Sequence, residues 1–545
     1  MERTGVLTLL HSFIWQLFPI FLYAETHYRF RFFLSLLRKR EPEIIADAPH
    51  RVDPHCSLPL LILVKDAHIF PATIEEITLV IRSKGSIVCI KKLLNSPMEI
   101  NQKLWWRVFE ISVKGVTGSI ECDVMFEVNI NNHKRLYHND NHRTSSHRPL
   151  NVYISSTPLP KLKGLYFGEC HSHSNYTDDQ VEFGSPLGAS VHLCKSIGIS
   201  FFCATDHSYD LDDALDNYLL NDPNLPKWKQ LQNEVSDLNS MLSDFKIIRG
   251  EEVTCRNSVD ENVHLLLLGN KVFFAGSGDG AEKWLKTRSE YSTNEVLNEK
   301  ELSTLAYAAH PCEPVPFLQR LLLHRGKWPE QDIVNLNLSG IQFANGQLSG
   351  GFHEGYCLWI KALLQGRRLF ALAGNDAHGN FNRFRQIGIP FIKIHEMEHQ
   401  IFGKMRTGVF LDSFSEDSII NSIHSGRSII TDGPVANLRV ISSPQMMSSI
   451  GCRYTGIKHT ILLEVRSSTE YGSIKSIKVF KGNIGQIESE LVFEKHNRGY
   501  SVDRKFSFEP ESESYLRAEV WTSPKNSNDD QPHFCMTNPI WFTLT

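Results

Sequence analysis

The sequence predicts an α/β fold, a seven-stranded barrel closed by crossover helices and flanked by two β domains. Three observations predict it. Between Gly164 and about Arg383, seven short apolar runs alternate with segments of helical spacing, the pattern of strands joined by helical crossovers. Nearly every run ends at His, Asp or Glu, as strands do when their C-terminal ends surround one mouth. On both sides of this region, runs rich in β-branched and aromatic residues are punctuated by Gly, Asn and Pro, which reads as antiparallel β structure.

Composition sets the outer bounds. The chain has 545 residues, 41% hydrophobic and 22% charged. That balance suits several globular domains and excludes a disordered chain or a multi-span membrane protein. Lys and Arg total 57 against 61 for Asp and Glu, a net charge of -4, so no nucleic-acid partner is expected. The 11 cysteines include no CxxC pair, which points to free thiols in a reducing, cytoplasmic compartment.

Residues 1–43 form an apolar and basic N-terminal segment. Gly5 to Ala24 contains no Asp, Glu, Lys or Arg and is about long enough to cross a bilayer. Arg29, Arg31, Arg38, Lys39 and Arg40 follow it and would hold the rest of the chain on the cytoplasmic side. His11, Gln16 and Pro19 interrupt the run, which equally suits an amphipathic helix packed on the protein or lying on a membrane surface. A β-sandwich-like domain is expected over 44–160, with strand signals at Ile87 to Ile90, Trp106 to Val113 and Asp123 to Ile130. The barrel is expected over 161–430. Its strands are read at Leu165 to Phe167, Ser200 to Thr205, Lys246 to Arg249, Val263 to Leu268, Leu305 to Ala309, Gly340 to Ala344 and Leu369 to Ala373, with helices at Ser185 to Ser196, Trp228 to Leu242 and Glu354 to Leu364. A second β domain is expected over 431–545, after the turn signal Thr431-Asp432-Gly433-Pro434.

The strand ends carry the chemistry. His171-Ser172-His173 follows the first run, and positions two apart on an extended chain share one face. Asp206-His207 follows the second run and Glu251-Glu252 the third; His264 opens the fourth, His310 follows the fifth and Asp376-Ala377-His378 the last. A single strand-end histidine is most often structural. Imidazole and carboxylate from six separate places, with almost no thiolate, fit a water-accessible site for zinc, iron or manganese.

These motifs together resemble the PHP family, the polymerase and histidinol phosphatase domain. The segments that carry the resemblance are Gly168-Glu169-Cys170-His171-Ser172-His173-Ser174, Thr205-Asp206-His207, Gly250-Glu251-Glu252, Ala309-His310-Pro311 and Asp376-Ala377-His378. The flanking β regions and the Gly426-Arg427-Ser428 stretch resemble the carbaryl-hydrolase-like branch. The resemblance implies a distorted seven-stranded (β/α) PHP barrel holding two or three divalent ions. It implies His171, His173, Asp178, His207, Glu252, His264, His310, Asp376 and His378 as ligands, with Glu252 bridging. Asp179 beside Asp178 and Glu251 beside Glu252 are rival carboxylates within the same motifs.

The function expected is a metal-dependent hydrolase of a small-molecule substrate, foremost a phosphoester, with metal-activated water as nucleophile. A carbamate, ester or amide hydrolase of the same fold and a PHP-like binding module without catalysis are the alternatives. Asp206 and Asp376 are the candidate proton-handling carboxylates. Arg383, Arg385 and His353 are candidate contacts for an anionic substrate.

Overall fold

In a computed structural model of the protein, residues 41–141, 147–178, 184–278, 287–383, 386–389, 392–395, 400–441, 448–486, 488–496, 499–523 and 532–544 are described. The Gly5 to Ala24 run, Asp179 and Arg385 lie outside them. Among the described residues, no helix is long and apolar enough to cross a membrane.

The N-terminal region folds as two sheets around one core. Glu43–Asp47, Leu58–Lys65 and Leu104–Ile111 form the smaller. The larger is built on Gly118–Ile130 and Ala72–Ser83, with Leu150–Ile154 and Ser86–Lys92 outside them. Period-two patterning explains the packing: along Gly118–Ile130, Ile120, Cys122, Val124, Phe126, Val128 and Ile130 are buried in turn, in one core with Leu60, Ile62 and Val64 of the smaller sheet.

All seven expected strands of the middle region form, as Leu165–His173, Phe201–Ala204, Lys246–Arg256, Asn262–Leu268, Leu305–Ala309, Gly340–Asn345 and Phe370–Gly374. The helices Leu187–Ile197, Pro226–Met241 and Gly350–Leu364 fall on the expected segments. The expected (β/α) barrel does not. Among the described residues, 44% lie in strands and 16% in helices, with several sheets and no closed barrel. Two features account for the difference.

The first is a hairpin inside the presumed parallel set. Lys246–Arg256 continues well past Arg249 and turns directly into Asn262–Leu268, paired antiparallel from Gly250↔Leu268 to Arg256↔Asn262. The connecting loop is pinned by Asn257, whose Oδ1 accepts from the N–H groups of Val259 and Glu261 at 3.0 and 2.9 Å. A loop this short cannot make a parallel crossover, which needs a dozen residues or more. Asn262–Leu268 is also antiparallel to Leu305–Ala309.

The second feature is that the sheet runs on. Leu165–His173 pairs antiparallel with Arg406–Phe410, and from there the sheet passes through Ser428–Thr431, Phe534–Thr537, Ser514–Ser523 and Ser473–Asn483 to Glu488–Lys495. Phe370–Gly374, at the opposite end, ladders only with Gly340–Asn345 among the described residues. Side chains satisfy its outer edge instead. Thr407 Oγ1 accepts from the Ala373 N–H at 2.9 Å and donates to its carbonyl at 2.8 Å, and Asn538 bonds both backbone groups of Ala371 at 2.7 and 3.1 Å. A strand edge saturated this way offers no ladder for closure.

The last region adds a three-stranded antiparallel sheet, Val435–Val440, His459–Arg466 and Ser501–Phe508, over the face of this long sheet. The Leu165–His173 strand stands at the junction, with the helix-backed strands on one side and the C-terminal strands on the other.

Candidate metal centre

The long sheet brings eight of the sequence-selected side chains to one place. His171 and His173 lie on one face of Leu165–His173, while Ser172 between them turns away and donates to the Cys203 carbonyl at 2.8 Å. His173 is the register partner of His378 in the short Ala377–His378 strand, and their rings stack 4.2 Å apart. Glu252 and His264 meet across the hairpin: His264 is the partner of Thr254, so Glu252 stands two positions away on the same face. His207 follows Phe201–Ala204 and His310 follows Leu305–Ala309.

Two of these residues hold strained backbone. His310 and Asp376 have φ of 28° and 51°, the left-handed region that side chains other than glycine's occupy at a cost and that concentrates at functional sites. Close approach also matters at Gly374, where a Cβ would fall 2.5 Å from that of His171. The missing side chain lets the strand leading to Asp376 press against His171.

Glu252 is the centre. Its Oε2 lies 3.0 Å from His207 Nδ1, 3.3 Å from His171 Nε2 and 3.4 Å from His173 Nε2. Its Oε1 lies 2.6 Å from His264 Nδ1 and 3.2 Å from His310 Nε2. Asp376 Oδ1 is 3.1 Å from His173 Nε2 and 3.3 Å from His171 Nε2. Yet Glu252 Oε2, His171 Nε2 and His207 Nδ1 are buried without a hydrogen bond of acceptable geometry. Buried polar atoms are normally paired. Atoms that crowd one another within 3.4 Å while aligning with none are lone pairs converging on shared points, the arrangement a cation would satisfy.

Three overlapping donor sets result: His173, His207 and His378; His171, Glu252, His310 and Asp376; and His207, Glu252 and His264. His207 and Glu252 each belong to two. All-imidazole and carboxylate donors suit zinc, manganese or iron, so the residues present fit two or three divalent ions.

Protonation follows the same geometry. Burial would raise the carboxyl of Glu252, but the imidazoles of His264, His171 and His207 outweigh it and hold the group well below the usual carboxylate range. Asp376 is likewise held low, against burial, by His171 and His173. Burial, with His378 and His207 alongside, keeps His173 well below the usual imidazole value, and burial lowers His207. For His171 burial is overcome by Glu252 and Asp376, which lift it to about 9. Ionised carboxylates among neutral imidazoles are what metal binding requires, and an ion would displace the proton from His171.

Not every expected residue joins the cluster. Asp178 points to the N-terminal domain, 2.9 Å from Lys65 Nζ and 3.6 Å from Lys103 Nζ, and Lys65, Lys227 and Lys103 hold its carboxyl low against burial. Asp206 accepts from the N–H groups of Ser174 and Thr177 at 2.7 and 3.0 Å and from both hydroxyls, so it fixes the turn after His173. Glu251, pointing to the other side of its strand, accepts from Phe274 N, Ser208 Oγ and Asn270 Nδ2, and burial pushes it up to about 8. Arg383 is buried against Asp140 at 2.6 Å and the Ala46 carbonyl at 2.9 Å, joining the first two regions. His353 is exposed.

Four supporting residues escaped the sequence reading. Gln342 Oε1 accepts from His171 Nδ1 at 3.3 Å and from the His310 N–H at 2.9 Å, which fixes Nδ1 as a donor and turns Nε2 toward the cluster as the atom an ion would take. A lone amide in the buried run Gly340 to Asn345 was the available signal. Glu169 accepts from the N–H groups of His171, Asn375 and Gly403 at 2.9 to 3.0 Å, tying the first strand to the Asp376 turn. Gln400 Nε2 donates to Asp376 Oδ2 at 3.0 Å. Arg325 Nη2 lies at the edge of the His264 ring, 3.0 Å from Nδ1 and 2.9 Å from Nε2. Replacing Gln342 with Leu is expected to weaken metal retention roughly ten- to a hundredfold, as lost supporting hydrogen bonds do elsewhere; competition against a graded chelator series measures it, with the circular dichroism spectrum unchanged.

No protein family and no curated protein matches the chain. Similar solved structures include a beta-glucuronidase from glycoside hydrolase family 2, 8% identical with a TM-score of 0.17, covering 91% of this chain and 61% of that one. The native conformation of E. coli alpha-2-macroglobulin is 8% identical with a TM-score of 0.14 and coverage of 91% and 30%. Salmonella alpha-2-macroglobulin reacted with methylamine is 8% identical with a TM-score of 0.15 and coverage of 92% and 31%. The chain therefore spans less than two thirds of each of these proteins, and likenesses this slight carry no argument about what it does.

Proposed function

We propose that the protein is a metal-dependent hydrolase, with phosphoesters as its foremost substrates. The observation that carries the reading is the buried Glu252 carboxylate facing five imidazoles at 2.6 to 3.4 Å. The resemblance of the motif set to the PHP family supports it. When bound, divalent ions at such a centre lower the pKa of water and polarise the substrate oxygen that gains charge.

The chain's own residues have separable parts in this reading. Gln342 sets the His171 tautomer. Gln400 occupies Asp376 Oδ2 and leaves Oδ1 toward the cluster. Asp376 is 15% exposed and His310 13%, against 0% for His171, His173 and Glu252, so substrate approaches along the Asp376 and His310 rim. There Asp376, held ionised by His171 and His173 and anchored by Gln400, acts as an orienting carboxylate. Asp206, tied to Ser174 and Thr177, acts as a positioning residue.

Metal analysis of the full chain purified without chelator is expected to find two or three divalent ions per molecule. Phosphomonoester or phosphodiester turnover should disappear with chelator and return with zinc, manganese or iron. Turnover confined to carbamates, esters or amides would keep the metallohydrolase and remove the phosphoester. Absence of bound metal after loading would sink the whole reading.

A further inference from the structure

The rim of the metal centre carries an apolar surface that the fold leaves in water. The short helix Phe317–Leu323 follows the loop after His310 and ends just before the segment held beside His264. Both of its ends are tied to elements that carry the site. Ahead of it, the Glu313 N–H donates to the His310 carbonyl at 3.1 Å; behind it, Asn262 Nδ2 donates to the Leu323 carbonyl at 2.8 Å. Trp328 closes the arch, donating from its N–H to the Pro311 carbonyl at 3.0 Å and from Nε1 to the His264 carbonyl at 3.1 Å. The helix thus spans from His310 to His264, at the edge where His310 is 13% exposed.

This arch presents hydrocarbon to solvent. Phe317 is 75% exposed and Leu321 56%, and residues four apart on a helix share a face. Pro314 and Pro316, just ahead of them, are exposed as well. Among the described residues no aromatic side chain is more exposed than Phe317. Apolar residues scattered singly over a surface are ordinary, whereas a group of them on one face beside the mouth of a site marks a contact.

Charge and area indicate what makes the contact. From Pro314 to Pro329 the chain contains no Asp or Glu. The side chains of Arg320 and Lys327 are 70% and 41% exposed, beside Glu261 at 3.4 Å and Glu354 at 2.6 Å, and ion pairs this exposed hold their partners weakly. Two large side chains and two prolines fall well short of the roughly 1,200 Å² that a stable protein interface buries. Apolar side chains flanked by cations match instead the boundary of an anionic bilayer, where shallow insertion of one helix face is enough. The uncharged run Gly5 to Ala24, followed by Arg29, Arg31, Arg38, Lys39 and Arg40, has the same chemistry.

We propose that Pro314 to Leu323 is a membrane-docking surface that seats the rim of the metal centre on an anionic bilayer, so that the phosphoester it meets is a lipid headgroup. Phe317 and Leu321 enter the boundary between headgroups and acyl chains, and Arg320 keeps its charge among the lipid phosphates. Cleavage of phosphatidic acid there would break the bond between phosphorus and the glycerol oxygen, water giving its hydroxyl to phosphorus and its proton to the released diacylglycerol. The docking stands on the exposed helix, and only the choice of substrate rests on the metal-dependent reading above.

The test uses the full chain loaded with manganese and vesicles of phosphatidylcholine, with and without phosphatidylserine. Hydrogen exchange in wild type is expected to slow across Phe317–Leu323 when the anionic vesicles are added and to stay unchanged with phosphatidylcholine alone. The double variant Phe317→Ser, Leu321→Ser should hold its metal and partition onto the anionic vesicles about tenfold or more weakly. With phosphatidic acid in the vesicles, its turnover should fall by a similar factor relative to that of p-nitrophenyl phosphate in solution. Exchange across Phe317–Leu323 that anionic vesicles leave unchanged would overturn the docking, even if the chain binds them through Gly5 to Ala24, and this measurement needs no variant. Equal partition of the double variant and wild type would overturn it too. So would a wild-type dimer, seen by sedimentation without lipid, that the double variant dissolves, since a second copy would then be the occupant. Vesicle binding through this helix with p-nitrophenyl phosphate cleaved and phosphatidic acid untouched would overturn the lipid substrate. Wild type that holds no metal overturns the reading beneath, and elemental analysis shows that before any vesicle is added.

Discussion

Glu252→Gln is expected to empty most of the metal centre and to lower kcat/KM by about a thousandfold or more, the scale seen when a residue acting as part of a catalytic unit is removed. The substitution keeps size and shape, so the effect isolates charge and lone pairs. Both oxygens of Glu252 are committed, Oε2 to His171, His173 and His207 and Oε1 to His264 and His310. An amide offers one oxygen and turns an N–H group toward the other set. It also deletes one of the two carboxylates among the donors, and with it much of the charge that would offset bound cations. Glu251→Gln is the internal control. Glu251 faces Ser208, Asn270 and the Phe274 N–H, so this variant should keep its metal. Elemental analysis and turnover of both variants separate the two neighbours; full metal occupancy in Glu252→Gln would remove Glu252 from the centre.

The chemistry was more legible in the sequence than the topology, for physical reasons. His171, His207, His310 and His378 each follow an apolar run, and a strand end fixes the place of the next residue closely enough to be read. Glu252 and His264 were also visible, but as ends of two parallel strands. They sit instead on adjoining arms of one hairpin, because Gly250 to Arg256 extends the strand and leaves too short a loop for a crossover. Asp178 and Asp206 show the limit of spacing. Their motif positions are right for ligands, yet loop side chains take their direction from neighbours far away in sequence: Lys65 draws Asp178 outward, and the Ser174 and Thr177 amides hold Asp206 inward. Arg325 carried no signal at all, since it gains meaning only when Asn262 pins its loop beside His264. Open sheet and closed barrel differ in what covers the edge of Phe370–Gly374. The decision falls to Thr407 and Asn538, residues no strand pattern singles out.

The continuous sheet makes a second large effect predictable, far from the metal centre. Arg517→Ala is expected to destabilise the protein by about 3–5 kcal/mol, the cost of breaking a buried ion pair and stranding its partners. Arg517 is fully buried on Ser514–Ser523. Its Nε lies 2.9 Å and its Nη2 3.0 Å from the two oxygens of Glu488, while Nη1 bonds Glu519. The guanidinium also stands 4.3 Å from the centre of the Phe480 ring. Tyr356 closes the network from the Gly350–Leu364 helix: it accepts from Arg517 and donates to Glu519 at 2.7 Å. Alanine would leave Glu488 and Glu519, 15% and 9% exposed, facing each other without a cation, and would loosen the helix that backs Gly340–Asn345, the strand of Gln342. Since the strands from Gly340–Asn345 to Glu488–Lys495 belong to one sheet, the loss should be shared by the metal-binding and C-terminal regions. Urea unfolding followed by circular dichroism and by metal release should shift together to a lower midpoint. Adding Glu519→Gln to Arg517→Ala should recover part of the loss by removing one stranded charge. If Arg517→Ala lowered stability by less than about 1 kcal/mol, or if metal release kept the wild-type midpoint while the C-terminal strands melted early, the two regions would be energetically separate despite their common sheet.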